Sequence, residues 1–131
     1  MFPAGCGTDA VGVEDCRDIE QARCEAGAAC GLVSDVDACK RFYRDHCLHG
    51  LALEEAPPKA TIKRCAQTIQ EIGACVKQLG PAAAFSDCHL DVLASSNKAC
   101  ELVSAPEKTS SCAFLVPDLP PPVPDSGSEA G

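Results

Sequence analysis

Eleven cysteines in a chain of 131 residues, none closer together than Cys24 and Cys30, constrain this sequence more than any other feature. At about 8% of the residues they reach the density of a disulfide scaffold. Leu, Ile, Val and Phe together number only 27 of 131, so apolar burial alone makes a thin core. The spacing also excludes chemistry. There is no C-x-x-C, as a thioredoxin-type redox pair, a paired-knuckle zinc site or a c-type haem attachment would need. No two cysteines lie three or four apart on one helix turn, where their thiolates would share a copper ion. Widely separated cysteines read as disulfide partners. Disulfides persist outside the reducing cytosol, so the chain is expected in an extracytoplasmic, oxidising place.

The fold expected around them is all-α. Residues 1–12 are Gly-rich and aperiodic and read as a flexible leader. A single domain is expected over 13–116: a helical hairpin over 13–50, a linker over 51–59, a second hairpin over 60–103 and a lid over 104–116. Residues 117–131, with Pro120-Pro121-Pro122 and Ser126-Gly127-Ser128, read as a disordered tail too poor in apolar groups to order itself. Helix one is expected over Glu14–Ala29, with acids in its first turn and Gly31 just past its end. Helix two is expected over Ala38–His49, started by a cap at Ser34 and stopped by Gly50. Ile62, Cys65, Ile69, Ile72, Val76 and Leu79 recur three and four apart, the clearest helical seam in the chain, ending at Gly80-Pro81. A fourth helix is expected from Ser86 to about residue 103, with Phe85 and Leu90 as a staple, Leu90, Leu93 and Cys100 on its inner face, and the poor helix formers Ser95-Ser96-Asn97 kinking or fraying it before Cys100.

Helix geometry then suggests a bridge pattern. Cys16 and Cys24 are eight apart, as are Cys39 and Cys47, and eight residues advance a helix by about 12 Å while keeping both sulfurs on one side. Two antiparallel neighbours with equal spacing allow the nested bridges Cys16–Cys47 and Cys24–Cys39. By analogy the second hairpin takes Cys75–Cys88 and Cys65–Cys100, leaving Cys30–Cys112 to tie the C-terminal segment back. Cys6 is then the odd cysteine out.

The charge and the motifs narrow function by exclusion. A net charge of -8 repels a phosphate backbone, so nucleic acid is not an expected partner. No stretch approaches 18 apolar residues, so no transmembrane helix is expected. There is no Gly-x-Ser-x-Gly, His-Glu-x-x-His or phosphate loop, and neither an enzyme nor a cofactor is expected. The histidines at 46, 49 and 89 are the candidate metal ligands. His46 and His49 are three apart on a helix, where two last-turn imidazoles also suit the negative helix end. Lys40, Arg41 and Arg44, with Lys59, Lys63 and Arg64, form a candidate basic contact surface for an acidic partner or envelope polymer.

Ala4-Gly5-Cys6-Gly7 resembles the end of a bacterial lipobox, which implies a lipid on Cys6 and an apolar leader upstream of Met1, because residues 1–6 are not themselves a signal peptide. With Cys39-Lys-Arg-Phe-Tyr-Arg-Asp-His-Cys47-Leu-His-Gly50 and the many-cysteine helical layout, the chain resembles cysteine-rich secreted proteins and lipoproteins of soil bacteria such as myxobacteria. Cys65 and Cys75, with nine residues between them, give a partial resemblance to the twin Cx(9)C hairpins of the mitochondrial intermembrane space; Cys88 and Cys100, with eleven, depart from it. The expected function is a structural or partner-binding role at the cell envelope or outside the cell, towards a protein or envelope component. The alternatives are an intermembrane-space assembly factor and a thiolate/His metal-binding or storage protein.

Overall fold

A computed structural model describes residues 12–49 and 57–116. Four helices carry the fold: α1 (Val13–Ala29), α2 (Val36–His46), α3 (Lys59–Leu79) and the short α4 (Ala99–Ser104). The described residues contain no strand, only isolated antiparallel pairings of Ala84 with Lys98 and Ala94 with Thr109. The leader up to Val11, Cys6 within it, Gly50 expected as the stop of helix two, linker residues 51–56 and the tail 117–131 lie outside the described residues.

The two long helices form the centre. The α3 seam buries Ile62, Cys65, Ile69, Ile72 and Val76 against Ile19, Ala22 and Ala26 of α1. Lys59 reaches Asp15 at 2.7 Å near the start of both helices, and Gly73 faces Ala26 further along, so α1 and α3 run in the same direction. A Cβ on Gly73 would lie 2.8 Å from that of Ala26, so glycine is what lets the two helices close at this level. α1 ends at Ala29, and Gly31 takes the left-handed conformation, φ 75°, that turns the chain into α2.

α2 is held differently, because none of its residues is buried. Disulfides Cys16–Cys47 and Cys24–Cys39 clamp it antiparallel to α1, nested as the equal cysteine spacing suggests. Arg17 donates from Nε and Nη2 to the Arg44 carbonyl, and Lys40 pairs with Glu25 at 2.7 Å. The cap is Asp35, not Ser34: its Oδ1 accepts from the Ala38 amide at 3.0 Å, so the helix starts at Val36. It also ends earlier, at His46, with Cys47–His49 continuing as a 3-10 turn.

The second half departs most from expectation. Ser86 starts no long helix; Phe85–Cys88 is a single 3-10 turn, closed by His89 at φ 54°, and helical structure resumes only at Ala99. Polar side chains between them are engaged in non-helical hydrogen bonds. Asn97 accepts from the Phe85 amide with its carbonyl and from the Ser86 amide with Oδ1, while Ser96 Oγ donates to Glu101 and accepts from the Lys98 amide. Phe85 and Leu90 both reach the core, but Leu93 is exposed rather than inward.

This changes two bridges. Cys75–Cys88 pairs as set out above, whereas Cys100 bonds Cys30 and Cys112 bonds Cys65. The pairings Cys65–Cys100 and Cys30–Cys112 presuppose a helix returning alongside α3 from residue 86. Instead α4 begins beside the C-terminal end of α1, which places Cys100 at Cys30, and the chain descends only afterwards to bring Cys112 to Cys65. The segment after α4 does cover the core: Phe114 and Leu115 pack half-buried on it, and Thr109 is buried with its hydroxyl donating to the Pro106 carbonyl.

Candidate functional site

The aromatic side chains of α2 gather on one flank. Phe42, Tyr43 and His46 fall three and four positions apart or adjacent, and their rings meet: Phe42 stacks on His46 at 5.5 Å between centroids, and Tyr43 stands edge-on to both at 4.9 and 5.8 Å. Phe42 is nonetheless 60% exposed, and Leu32, in the α1–α2 turn, 57%. With α2 anchored by sulfur rather than by burial, Phe42 faces outward while Val36, Ala38, Cys39 and Tyr43 are only half-buried.

Tyr43 lines a cleft of about 120 Å³ between α1, α2 and α4. Cys24 and Cys39 supply a wall that is a single covalent bridge, Gly27 packs against Val33, and Val103 closes the far side. Gly27 is small for a reason: a Cβ there would lie 2.8 Å from Val33 Cγ2. One end of the cleft is polar. Arg23 Nη1 donates to both Glu20 carboxylate oxygens at 3.0 Å, while Nε and Nη2 donate to the Val103 and Ser104 carbonyls at 3.1 and 2.8 Å. That guanidinium therefore caps α4 and pins it to α1. Burial pushes the Glu20 carboxyl above the usual carboxylate range, against the opposing pull of Arg23 and His46.

The size of the cleft limits what it can hold. Small-molecule pockets run to about 300–1,000 Å³, and a water takes roughly 30 Å³, so this volume suits one side chain of a larger partner rather than a cofactor. An apolar anchor seated in a pocket beside an exposed aromatic ring is the usual composition of a binding hot spot. Larger hollows lie elsewhere on the surface. One, of about 500 Å³, lies along the Cys75–Cys88 bridge with Glu71, Asp87, His89 and Leu79; another, of about 350 Å³, runs between α1 and α3 and is lined with Gln21, Gln67, Gln70 and charged groups.

The structure distributes the sequence candidates rather than collecting them. His46 stands on α2, His49 belongs to the following 3-10 turn and His89 follows the Phe85–Cys88 turn in the other half. Among the described residues no three His, Cys, Asp or Glu groups come together as a metal site. The six-residue basic surface is divided: Lys40 pairs with Glu25, Lys59 with the buried Asp15, and Arg64 donates to the Asp91 carbonyl. Arg41 and Arg44 remain exposed on α2 with no side-chain ion pair among the described residues. The Glu20–Arg23 clasp was not singled out from sequence. Its only local trace is an acid and a base three apart on a helix, and what makes it matter are α4 carbonyls about 80 residues away.

No family model, no curated protein and no solved structure matches this chain.

Proposed function

We propose that this is an exported, non-enzymatic binding protein that presents the α2 aromatic flank and the adjoining cleft to a protein or envelope component, held near the membrane by a lipid on Cys6. The observation that carries the reading is the cysteine arithmetic. Five bridges consume ten of the eleven cysteines, so Cys6 has no intrachain partner left, and bridges in that number belong to an oxidising compartment. No helix of the described residues is long and apolar enough to cross a membrane, which is compatible with an anchor supplied by lipid.

The metal-storage alternative loses its ligands, since a sulfur in a disulfide offers no thiolate and every described cysteine is in one. The intermembrane-space alternative drew on the second hairpin, and there the nested pair is missing because Cys65 bonds Cys112. Non-reducing peptide mapping by mass spectrometry on natively produced protein tests the reading. Five bridges in this connectivity and an acylated Cys6 are expected; open thiols, or an unmodified Cys6 in the native material, would contradict it. Association of the Cys6→Ser chain, which carries no lipid, with envelope fractions tests the surface: Phe42→Ser and Leu32→Ser together are expected to abolish it, and association unchanged by them would contradict the α2 flank as the contact.

A further inference from the structure

One bridge is placed differently from the other four. Of the five among the described residues, Cys75–Cys88 alone has neither cysteine buried; Cys16–Cys47 and Cys65–Cys112 are buried at both ends, and Cys24 and Cys30 are the buried members of the remaining two. We propose that Cys75–Cys88 is a thiol-exchange site, where a thiol carried beside a positive charge is captured as a mixed disulfide. This site is separate from the α2 surface and stands or falls without it.

Three observations carry it. The first is access. Exchange needs a thiolate to approach a disulfide sulfur directly, so access decides which bridge reacts. Cys75–Cys88 lies along the hollow of about 500 Å³, a volume in the range of small-molecule sites, so a thiol reaches the sulfurs together with the groups next to it. Cys24–Cys39 lines only the cleft of about 120 Å³, with Cys24 buried. The second is that both ends hold their places without the sulfur–sulfur bond. Cys75 stands on α3 between the buried Ile72 and Val76. Cys88 ends a turn fastened elsewhere: Phe85 is buried, its amide donates to the Asn97 carbonyl at 2.7 Å, the Ser86 amide donates to Asn97 Oδ1 at 2.8 Å, and the Ala99 amide donates to the Ala83 carbonyl at 3.1 Å. Opening therefore leaves the two sulfurs near each other and able to close again. The Ala84 carbonyl lies 3.9 Å from Cys88 Sγ, an acceptor for the thiol that opening creates. The third is charge. Glu71 and Asp87 line the hollow against one imidazole, His89, with Leu79 and Leu90 as its apolar side. Two carboxylates repel a bare thiolate and favour one whose charge is offset by an adjoining ammonium or guanidinium.

The incoming thiolate attacks Cys75 Sγ and a new S–S bond forms there. The Cys75–Cys88 bond breaks, and its electron pair leaves on Cys88 Sγ, which takes a proton from water. One disulfide replaces another, so no further oxidant or reductant takes part. Release is the reverse: the Cys88 thiolate attacks Cys75 Sγ and expels the captured thiol.

The test uses the full oxidised chain with Cys6→Ser, so that no thiol of its own takes part. Cysteamine, a cationic thiol, and mercaptopropionate, an anionic one, are the probes, followed by acid quenching, alkylation and peptide mapping by mass spectrometry. Each rate is divided by the rate on a short unstructured disulfide peptide, which removes the intrinsic difference between the two thiols. Cysteamine is expected to react at Cys75–Cys88 about tenfold or more faster than at any other bridge, with the far-ultraviolet circular dichroism unchanged. Its divided rate should exceed that of mercaptopropionate several-fold, and Glu71→Gln with Asp87→Asn should remove the excess. Opening of Cys24–Cys39 or Cys30–Cys100 first, or helicity lost as Cys75–Cys88 opens, overturns the proposal. Equal divided rates for the two probes in the parent chain overturn it as well. A Lys-Cys-Lys peptide captured faster than cysteamine assigns the site to a polypeptide thiol, and the reverse order assigns it to a small one.

Discussion

Glu20 and Glu101 show how one side-chain type responds to opposite surroundings. Burial raises the Glu20 carboxyl, so the folded chain takes up that proton more readily than the unfolded one, and the contribution is present at acid pH and lost as pH rises through the folded value. Hydrogen bonds from Lys108 and Ser96 lower Glu101, whose contribution is present above the ordinary carboxylate value and lost as pH falls through the folded one. Urea midpoints of Glu20→Gln and Glu101→Gln, each taken relative to the parent chain from strongly acidic to neutral pH, should therefore diverge in opposite directions, Glu101 below the ordinary carboxylate value and Glu20 above it. Parallel curves would mean that neither carboxyl differs between the two states. Arg23 carries more: its two bonds to α4 carbonyls and its paired contact with Glu20 make Arg23→Ala cost about 2–3 kcal/mol, measured by urea unfolding, because charge-assisted bonds are lost and Glu20 is left partly buried without its partner.

Among the elements, α3 was legible because its Ile and Val residues repeat at helical spacing and that seam is what the core uses. Ile69→Ala, at a fully buried site in its middle, should cost about 2–5 kcal/mol in chemical denaturation. α2 was legible as a helix for a different reason, a cap and a stop, and its exposure was not, because periodicity says which residues share a face and nothing about whether that face is covered. With no buried residue, α2 depends on its two bridges. Replacing Cys16, Cys47, Cys24 and Cys39 by Ala should release α2 to fast amide exchange while α3 keeps its protection, as followed by hydrogen-exchange mass spectrometry; equal loss in both would show that α2 is part of the central unit. The Ser95-Ser96-Asn97 break was legible in the helix expected from Ser86, but not its extent back to His89, because Asn97 and Ser96 find long-range and local backbone partners that a helix would forbid and a single sequence does not display.

At the scale of the molecule, the bridge map divides along the same line. The nested pair of the first hairpin follows from local spacing, and Cys75–Cys88 closes a short loop of similar kind. Cys30–Cys100 and Cys65–Cys112 span 70 and 47 residues and depend on α1 and α3 lying parallel, a relation of whole helices that spacing alone does not encode. Of these two, Cys30–Cys100 joins the halves, tying the end of α1 to α4, and Cys65–Cys112 fastens the C-terminal segment to α3 within the second half. A bridge closing a loop of about 15 residues contributes roughly 3 kcal/mol and longer loops somewhat more, against a typical net stability of about 5–15 kcal/mol. The covalent links are thus large enough to decide whether this thin core stays folded. Thermal unfolding followed by far-ultraviolet circular dichroism, with and without a phosphine reductant that opens all five bridges, tests that claim most directly. The account predicts that the reduced chain loses its cooperative transition and most of its helicity at temperatures where the oxidised chain is intact; superimposable melting curves in the two conditions would contradict it.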